Sequence, residues 1–370
     1  MPKVQICKNI EIDDRKETID TRIDEEKKEL EEENEYFTKE IISKKDSFIQ
    51  SLKIKNPSFI EKFELQELLG SGSESFVYKT KVKKSQRIVA CKMIYKKDKG
   101  KINDQELSIG MKLKNNNITN IFGASTIQKD ELYFIAMECD KFGNLRNFQR
   151  NILKRDILSE TILCYISYYI LNGIKYIHKC KIAHLDLKPQ NITVDDFLRF
   201  KIIDFSISLD YSKKEEDKKI ELPSRGTNFY MAPEVLSNDT IDVKDLNKVD
   251  LYSFGVTLYN LAFNEFPYNL SYEDSQDYDK IYEKTQTDWK VENTDNCYSN
   301  CFIDFLQKLL EKDINKRINI NQALNHYWIK GSNILLEEKE KLFNCSNYLL
   351  YLLTDHFKSF NDYVGKSRIK

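Results

Sequence analysis

The stretch His184-Leu185-Asp186-Leu187-Lys188-Pro189-Gln190-Asn191 decides the interpretation of this chain. It places an acid, a cation and an amide, Asp186, Lys188 and Asn191, in one short segment that begins with His184. This combination at these spacings rarely arises by chance, although each residue type alone is common on protein surfaces. The segment is therefore the strongest candidate for a catalytic loop.

Two upstream stretches lie in β-rich sequence and fit phosphate chemistry. Gly70-Ser71-Gly72-Ser73-Glu74-Ser75-Phe76-Val77 allows a backbone turn to approach phosphates closely, although Gly-Ser-Gly also occurs in ordinary turns. In Val89-Ala90-Cys91-Lys92, a lysine lies inside an otherwise apolar strand. Because an unpaired buried charge is costly, Lys92 needs an anionic partner.

Together with two downstream stretches, these features resemble the protein kinase family. The segment 184–191 is similar to the family's catalytic loop, His-Arg-Asp-Leu-x-x-x-Asn, with Leu185 in the place of arginine. Asp204-Phe205-Ser206 is similar to Asp-Phe-Gly, and Ala232-Pro233-Glu234 is similar to Ala-Pro-Glu. The resemblance covers about Phe63 to Trp328, with the motifs in the family's order.

The resemblance implies an α+β, bilobal protein kinase fold with a small β-rich N-lobe and a larger, mostly helical C-lobe. The predicted secondary structure agrees with this fold, because short β-rich runs are followed by helical sequence after Asn144. We expect a kinase domain over residues 59–330, with the N-lobe at about 59–138 and the C-lobe at about 141–330. Residues 1–58 are expected to form a charged extension, helical or disordered, and residues 331–370 a helical C-terminal extension.

The resemblance also implies ATP and Mg²⁺ as cofactors and gives roles to individual residues. Asp186 would accept the proton of the substrate hydroxyl, and Lys188 would steady the γ-phosphate. Asn191 and Asp204 would bind magnesium. Lys92 would contact the α- and β-phosphates and pair with a helix carboxylate, for which the family's spacing indicates Glu106. The remaining residues expected at the nucleotide are Gly70, Ser71, Gly72, Ser73, Val77, Ala90, the gatekeeper Met137, the hinge residues Glu138 and Cys139, and Thr193 under the adenine.

Lys188 and Thr227 resemble the serine/threonine type of the family, in which the threonine contacts both Asp186 and Lys188. The expected partner is thus a protein substrate with a serine or threonine acceptor. A small-molecule kinase of related fold is less favoured, because Thr227 and the 232–234 stretch build a protein-substrate platform. Gln190 and Asn260 stand where kinases that prefer basic substrates have acids, so no preference for arginine is indicated.

At three positions the sequence departs from the residues that many protein kinases use to bind an activating phosphate. In many relatives an arginine binds a phosphate on the activation segment, the stretch that follows Asp204-Phe205-Ser206 and is closed by Ala232-Pro233-Glu234. Leu185 replaces this arginine, and two further positions of the phosphate-binding pocket fall on Ile102 and Leu209. An apolar cluster gains nothing from a phosphate, since phosphate is bound by charge-assisted bonds. We therefore expect an activation segment that orders without phosphorylation.

Other departures motivate an alternative, a pseudokinase that binds nucleotide as a scaffold with little or no turnover. Ser75 replaces the third glycine of the glycine-rich loop, and Ser206 replaces the glycine of Asp-Phe-Gly. Gly110 falls where the family places an apolar side chain, so a gap is expected there unless Met111 or another part of the chain fills it. Thr193 is polar where the family is usually apolar. None of these changes removes a charged catalytic residue, so catalysis remains the favoured interpretation.

Composition limits the partners and the compartment. The 370 residues carry a formal net charge of −1, which gives no indication of nucleic acid or an anionic membrane surface as a partner. No stretch approaches the roughly 20 apolar residues of a membrane span, and the N-terminus lacks an apolar signal region. The eight cysteines are scattered, which favours free thiols in a reducing compartment. We expect a cytoplasmic protein, with the nucleus as the other candidate.

The N-terminal extension has one narrow apolar stripe, formed by Ile23, Leu30 and Phe37 at seven-residue spacing. The stripe is too short and interrupted to indicate a coiled coil, so a solvated helix or a disordered segment is favoured. A partner that docks on such a helix is the one further interaction the sequence suggests.

Removal of residues 1–50 is expected to leave the kinase domain folded, because this segment has too little apolar surface to share a core. Thermal unfolding of the full and shortened chains measures this. A large loss of stability in the shortened chain would show that the segment packs on the domain.

Overall fold

The computed structural model describes residues 61–71, 75–95, 105–127, 132–222, 225–268, 277–286 and 298–331. The expected extension at 1–58 lies outside the described residues, as does the expected extension at 331–370 apart from Gly331. Gly72, Ser73 and Ile102 also lie outside them. Contacts within the chain define two units, Met1–Phe63 and Glu64–Lys370, and the fold is that of the second.

The N-terminal part is a five-stranded sheet of β1 (Phe63–Ser71), β2 (Ser75–Val82), β3 (Arg87–Tyr95), β4 (Ile121–Ile127) and β5 (Leu132–Met137), in the order β1-β2-β3-β5-β4. Strand β3 pairs antiparallel with β2 and β5, so it lies at the centre. Successive side chains of a strand point to opposite faces, which places Ala90 and Lys92 on the same face. The helix α1 (Gln105–Lys112) precedes β4 in the chain and packs against it.

The C-terminal part is mostly helical. Its helices are α2 (Leu145–Asn147), which continues into a π-helical turn at Phe148–Ile152, α3 (Glu160–Lys179), α4 (Pro233–Leu236), α5 (Leu246–Phe263), α6 (Tyr278–Gln286), α7 (Asn300–Leu309), α8 (Ile320–Leu324) and α9 (Tyr327–Lys330). Three short antiparallel pairs join β6 (Ile182–Ala183) to β9 (Leu209–Asp210), β7 (Ile192–Val194) to β8 (Phe200–Ile202), and β10 (Lys219–Glu221) to β11 (Thr240–Asp242). A β-rich sheet followed by a helical part confirms the predicted α+β fold.

Two helices form the centre of the helical part. The apolar residues of α3 recur at helical spacing, and Ile162, Ile166, Ile170 and Ile174 are all fully buried. Helix α5 is buried on nearly every side, including the carboxylate of Asp250. A buried charge in such a helix requires partners, and these partners lie in the candidate site.

The gap expected at Gly110 does not exist. Ile121 of β4 occupies this space, because a Cβ on Gly110 would lie 2.9 Å from Ile121 Cγ1 and closer still to Cδ1. Met111 does not fill it, since its exposed fraction is 44%. The glycine therefore allows the strand to approach α1 closely.

A leucine at this position should overpack the contact. Gly110→Leu is expected to lower the free energy of unfolding by about 1–3 kcal/mol, and Ile121→Ala in the same chain should recover part of that loss. Chemical denaturation measures both, with Ser108→Leu on the exposed side of α1 as control. If the costs of Gly110→Leu and Ile121→Ala simply add, the proposed contact is wrong.

Candidate active site

A cleft of about 420 Å³ brings most of the predicted residues together. It is lined by residues of the sheet, of the chain after β5 and of the 184–191 loop. The predicted residues among them are Gly70, Ser71, Val77, Ala90, Lys92, Glu106, Met137, Glu138, Lys188, Asn191, Thr193, Asp204 and Thr227. Cys139 lines a neighbouring cavity instead, where burial raises the pKa of its thiol.

Lys92 is bonded to two carboxylates. Its Nζ lies 2.9 and 3.0 Å from the two carboxylate oxygens of Glu106, and 2.8 Å from Asp204 Oδ1. The Lys92 side chain is 9% exposed, so its charge depends on these partners. Burial alone would lower the pKa of Lys92, but the charges of Asp204 and Glu106 outweigh it and raise the pKa. Burial would raise the pKa of Asp204, but Lys92 outweighs it and lowers this pKa to about 2.

Asp186 is the centre of a second group of bonds. Its Oδ2 lies 2.8 Å from Lys188 Nζ and accepts a hydrogen bond of 2.8 Å from the Asn191 amide. Its Oδ1 accepts a hydrogen bond of 3.0 Å from the backbone N–H of Thr227. Lys188 also donates to the Thr227 hydroxyl. The four residues therefore share one network that orients the Asp186 carboxylate.

The buried carboxylate of Asp250 holds the 184–191 loop in place. It accepts hydrogen bonds from the backbone N–H groups of His184 and Leu185, at 2.9 and 2.8 Å, and contacts His178 Nε2 at 2.8 Å. Leu185 has a φ of 68°, a left-handed conformation that costs free energy in a leucine and needs such support. Sequence analysis did not assign this role to Asp250. Its position in an apolar helix was the available signal of this role.

The 204–206 segment is held from both sides. Asp204 has a φ of 66°, and its Oδ1 accepts a hydrogen bond of 3.3 Å from the Ser206 backbone N–H. Phe205 is buried with its ring centroid 5.1 Å from that of His184. His184 Nε2 in turn lies 2.9 Å from the carbonyl oxygen of Ile203. Serine in place of glycine is thus compatible with a position in which Asp204 reaches Lys92.

The activation segment contacts α1 through charge. Lys112 Nζ lies 2.9 Å from Asp210 Oδ2, and the same carboxylate accepts hydrogen bonds from Ser212. Leu185 and Leu209, two of the positions expected to lack a phosphate-binding cation, pack against the main hydrophobic core. The segment is therefore held by an ion pair and by apolar contacts.

Sequence reasoning missed a buried network beside the expected adenine position. Lys201, whose side chain is 3% exposed, lies 2.7 Å from Glu138, 2.9 Å from Asp140 and 3.5 Å from Asp195. Asp140 also accepts a hydrogen bond from the hydroxyl of Thr193. Lysine in the apolar strand Phe200–Ile202 was the available signal, and it is the same signal that identified Lys92.

Outside the cleft, Glu234 and Arg317 form a buried bidentate pair with distances of 2.6 and 2.9 Å.

Among the described residues, no group of three or more acidic, histidine or cysteine side chains is arranged to hold a metal ion on its own. None of the helices in the described part of the chain has the length and apolar character needed to cross a membrane.

Comparison with known proteins agrees with this geometry. Residues 63–329 match the family described as protein kinase domain. The chain is 33% identical to the serine/threonine-protein kinase dst2 of Dictyostelium discoideum, over 73% of this chain and 23% of that protein. It is 32% identical to the serine/threonine-protein kinase ULK3 of Homo sapiens, over 72% and 54%, and 29% identical to the MAP kinase kinase MKK1/SSP32 of Saccharomyces cerevisiae, over 73% and 53%. The chain thus spans about half, or less, of the length of these relatives.

Loss of the Lys201 charge should destabilise the protein strongly. Lys201→Met is expected to cost about 3–5 kcal/mol of unfolding free energy, because Asp140 would stay buried without a counter-ion. Adding Asp140→Asn should recover part of this loss. Chemical denaturation measures the effect, with the exposed Lys179→Met as control. A loss no larger than that of the control would contradict the network.

Proposed function

The chain belongs to the protein kinase family, and we propose that it is an active serine/threonine kinase that transfers the γ-phosphoryl group of ATP to protein hydroxyls with Mg²⁺. The proposal rests on two clusters of bonded catalytic side chains, one around Lys92 and one around Asp186. Lys92 is bonded to both Glu106 and Asp204, while Asp186 is bonded to Lys188, Asn191 and Thr227. Phosphoryl transfer depends mainly on positioning and charge stabilisation by such groups.

Asp186 would act as the base. Thr227 and Asn191 orient its two oxygens, and the ammonium group of Lys188 lies 2.8 Å from Oδ2. An ionised carboxylate can accept the proton of a serine or threonine hydroxyl as that oxygen bonds to the γ-phosphorus and the bond to the ADP oxygen breaks. Lys188 would also steady the charge on the transferred phosphoryl group.

The residues present fit ATP and Mg²⁺. Asp204 lines the cleft as an ionised carboxylate, and the Asn191 amide donates through nitrogen, so its oxygen remains as a ligand. Mg²⁺ is usually bound by one or two carboxylates together with substrate phosphates, so a cage of three acids is not required. Bound Mg²⁺ would neutralise charge on the β- and γ-phosphates. Lys92 would hold the α- and β-phosphates.

Contacts at Thr227 support serine and threonine as acceptors. The hydroxyl of Thr227 accepts from Lys188, and its backbone N–H donates to Asp186, which joins the activation segment to the catalytic loop. The two named serine/threonine kinases among the relatives agree with this choice.

The nucleotide-binding scaffold remains the competing function, because Ser75, Leu185 and Ser206 depart from the family's motifs. Two of these departures leave the charged groups assembled. Leu185 still donates its backbone N–H to Asp250, and Ser206 still donates to Asp204. This supports catalysis over a scaffold role.

Transfer of labelled phosphate from ATP to a serine/threonine peptide library tests the proposal. Asp186→Asn should lower turnover by about 10²–10⁴ while ATP binding is largely retained, because it removes a positioned base. Asp204→Asn should weaken Mg²⁺-dependent nucleotide binding and turnover together, since it removes a metal ligand.

The control measurement is ATP binding to each purified variant. If the unaltered chain binds ATP but transfers no phosphate with any divalent metal, the scaffold function is correct and the proposal is wrong.

A further inference from the structure

Arg146 of helix α2 has an unusual set of partners. The half-buried guanidinium donates to the side-chain oxygens of Gln149, at 2.8 Å, and of Asn260. It also bonds to the hydroxyl of Tyr230. All three partners are neutral, so they orient the guanidinium without compensating its charge.

The neutral partners are themselves fixed. Gln149 is fully buried and donates to the carbonyl oxygen of Asp156 at 2.6 Å. Asn260 donates to the carbonyl oxygen of Glu265 at 3.2 Å. The guanidinium has five N–H groups, and these contacts occupy only some of them. The partners therefore fix the orientation of the guanidinium, and its remaining N–H groups could donate to a ligand.

No carboxylate within the described ranges forms an ion pair with Arg146, and the exposed Arg150 adds a second positive charge near it. Arg317 shows the contrasting case, since it forms a bidentate pair with Glu234. The charge of Arg317 is thus compensated by a carboxylate, whereas the partners of Arg146 are neutral. Two neighbouring guanidinium groups without a carboxylate partner favour binding of an anion.

Arg146 lies near the loop at which the serine or threonine acceptor of a substrate would bind. Helix α2 packs against the Pro189–Asn191 turn, which ends the catalytic loop. Tyr230, the bonding partner of Arg146, lies close enough to Asp186 for that carboxylate to raise its pKa, although burial is the larger cause. Arg146 therefore lies on a helix that packs against the loop that carries Asp186, where the substrate hydroxyl must react.

Two exposed residues on the segments next to Asp186 and Thr227 carry no negative charge. Gln190 is exposed at the cleft, and Arg225 is exposed shortly before Thr227. A substrate with basic residues next to its acceptor would find no counter-charge among these groups and would be repelled by Arg146.

We propose that Arg146, with Arg150 beside it, binds an anionic side chain that lies close in sequence to the serine or threonine acceptor of the substrate. The anion is a carboxylate or a phosphorylated residue, because both accept the charge-assisted hydrogen bonds that a guanidinium offers. This inference rests on the proposed kinase function and defines the class of substrate for it.

The test compares peptides that share one sequence and one serine acceptor. Each position within three residues of the acceptor carries aspartate, phosphoserine, asparagine or arginine in turn. At the best position, the anionic peptides should show kcat/KM about tenfold above the asparagine peptide, and the arginine peptide should fall below it. A larger gain with phosphoserine than with aspartate identifies a previously phosphorylated substrate, and equal gains identify an acidic one.

Variants then assign the preference to Arg146. Arg146→Gln should bring the anionic-to-neutral ratio of kcat/KM close to one, and Arg146→Lys should retain part of it. Lys175→Gln, which removes an exposed charge on α3, is the matched control and should leave the ratio unchanged. Added salt should lower the ratio in the unaltered protein, which tests the charge without any substitution.

The outcomes separate the two proposals. Transfer to neutral or arginine peptides as fast as to anionic ones, or a ratio unchanged by Arg146→Gln, overturns the inference and leaves the kinase function intact. Absence of transfer to every peptide, with ATP binding retained, overturns the kinase function and the inference with it.

Discussion

The buried charge of Lys92 is the constraint on which the site depends. Strand pairing places Lys92 on the central strand, with its ammonium group buried at the cleft, where it is stable only with anionic partners. It finds them on two other segments, since Glu106 belongs to α1 and Asp204 precedes the activation segment. One lysine therefore fixes the helix, the sheet and a metal-binding candidate relative to one another, and the cleft for the nucleotide is the result.

The same constraint recurs through the helical part. Asp250 holds the backbone of the catalytic loop, Lys201 joins the chain after β5 to the β7–β8 pair, and Arg317 is bonded to Glu234. Each is a buried charge whose partners lie far away in sequence, so loss of one partner would leave a charge without compensation. Arg146 differs because its partners are neutral, and this difference is the basis for the proposed anionic side chain in the substrate.

The residues of the catalytic loop could be predicted from sequence because they lie within one short segment, where spacing alone restricts their geometry. The α+β fold was implied by the resemblance to the protein kinase family, and the order of β-rich and helical sequence agrees with it. Other features depend on contacts between distant segments, which spacing does not reveal. The fit of Ile121 against Gly110 depends on how closely β4 approaches α1, and the partners of Lys201 and Arg146 depend on the finished fold. A lysine within an apolar strand predicted that a partner exists without identifying it.

The central proposal is that the activation segment needs no phosphoryl group for the catalytic groups to assemble. The Lys112–Asp210 ion pair and the β10–β11 pairing hold that segment, and Leu185 stands in place of a phosphate-binding arginine. The direct measurement is the phosphoryl transfer rate of protein treated with phosphatase, with complete removal of phosphate verified by intact mass before the assay. The account predicts a rate within a few-fold of that of untreated protein. A near-total loss, restored when phosphate returns to the activation segment, would contradict it.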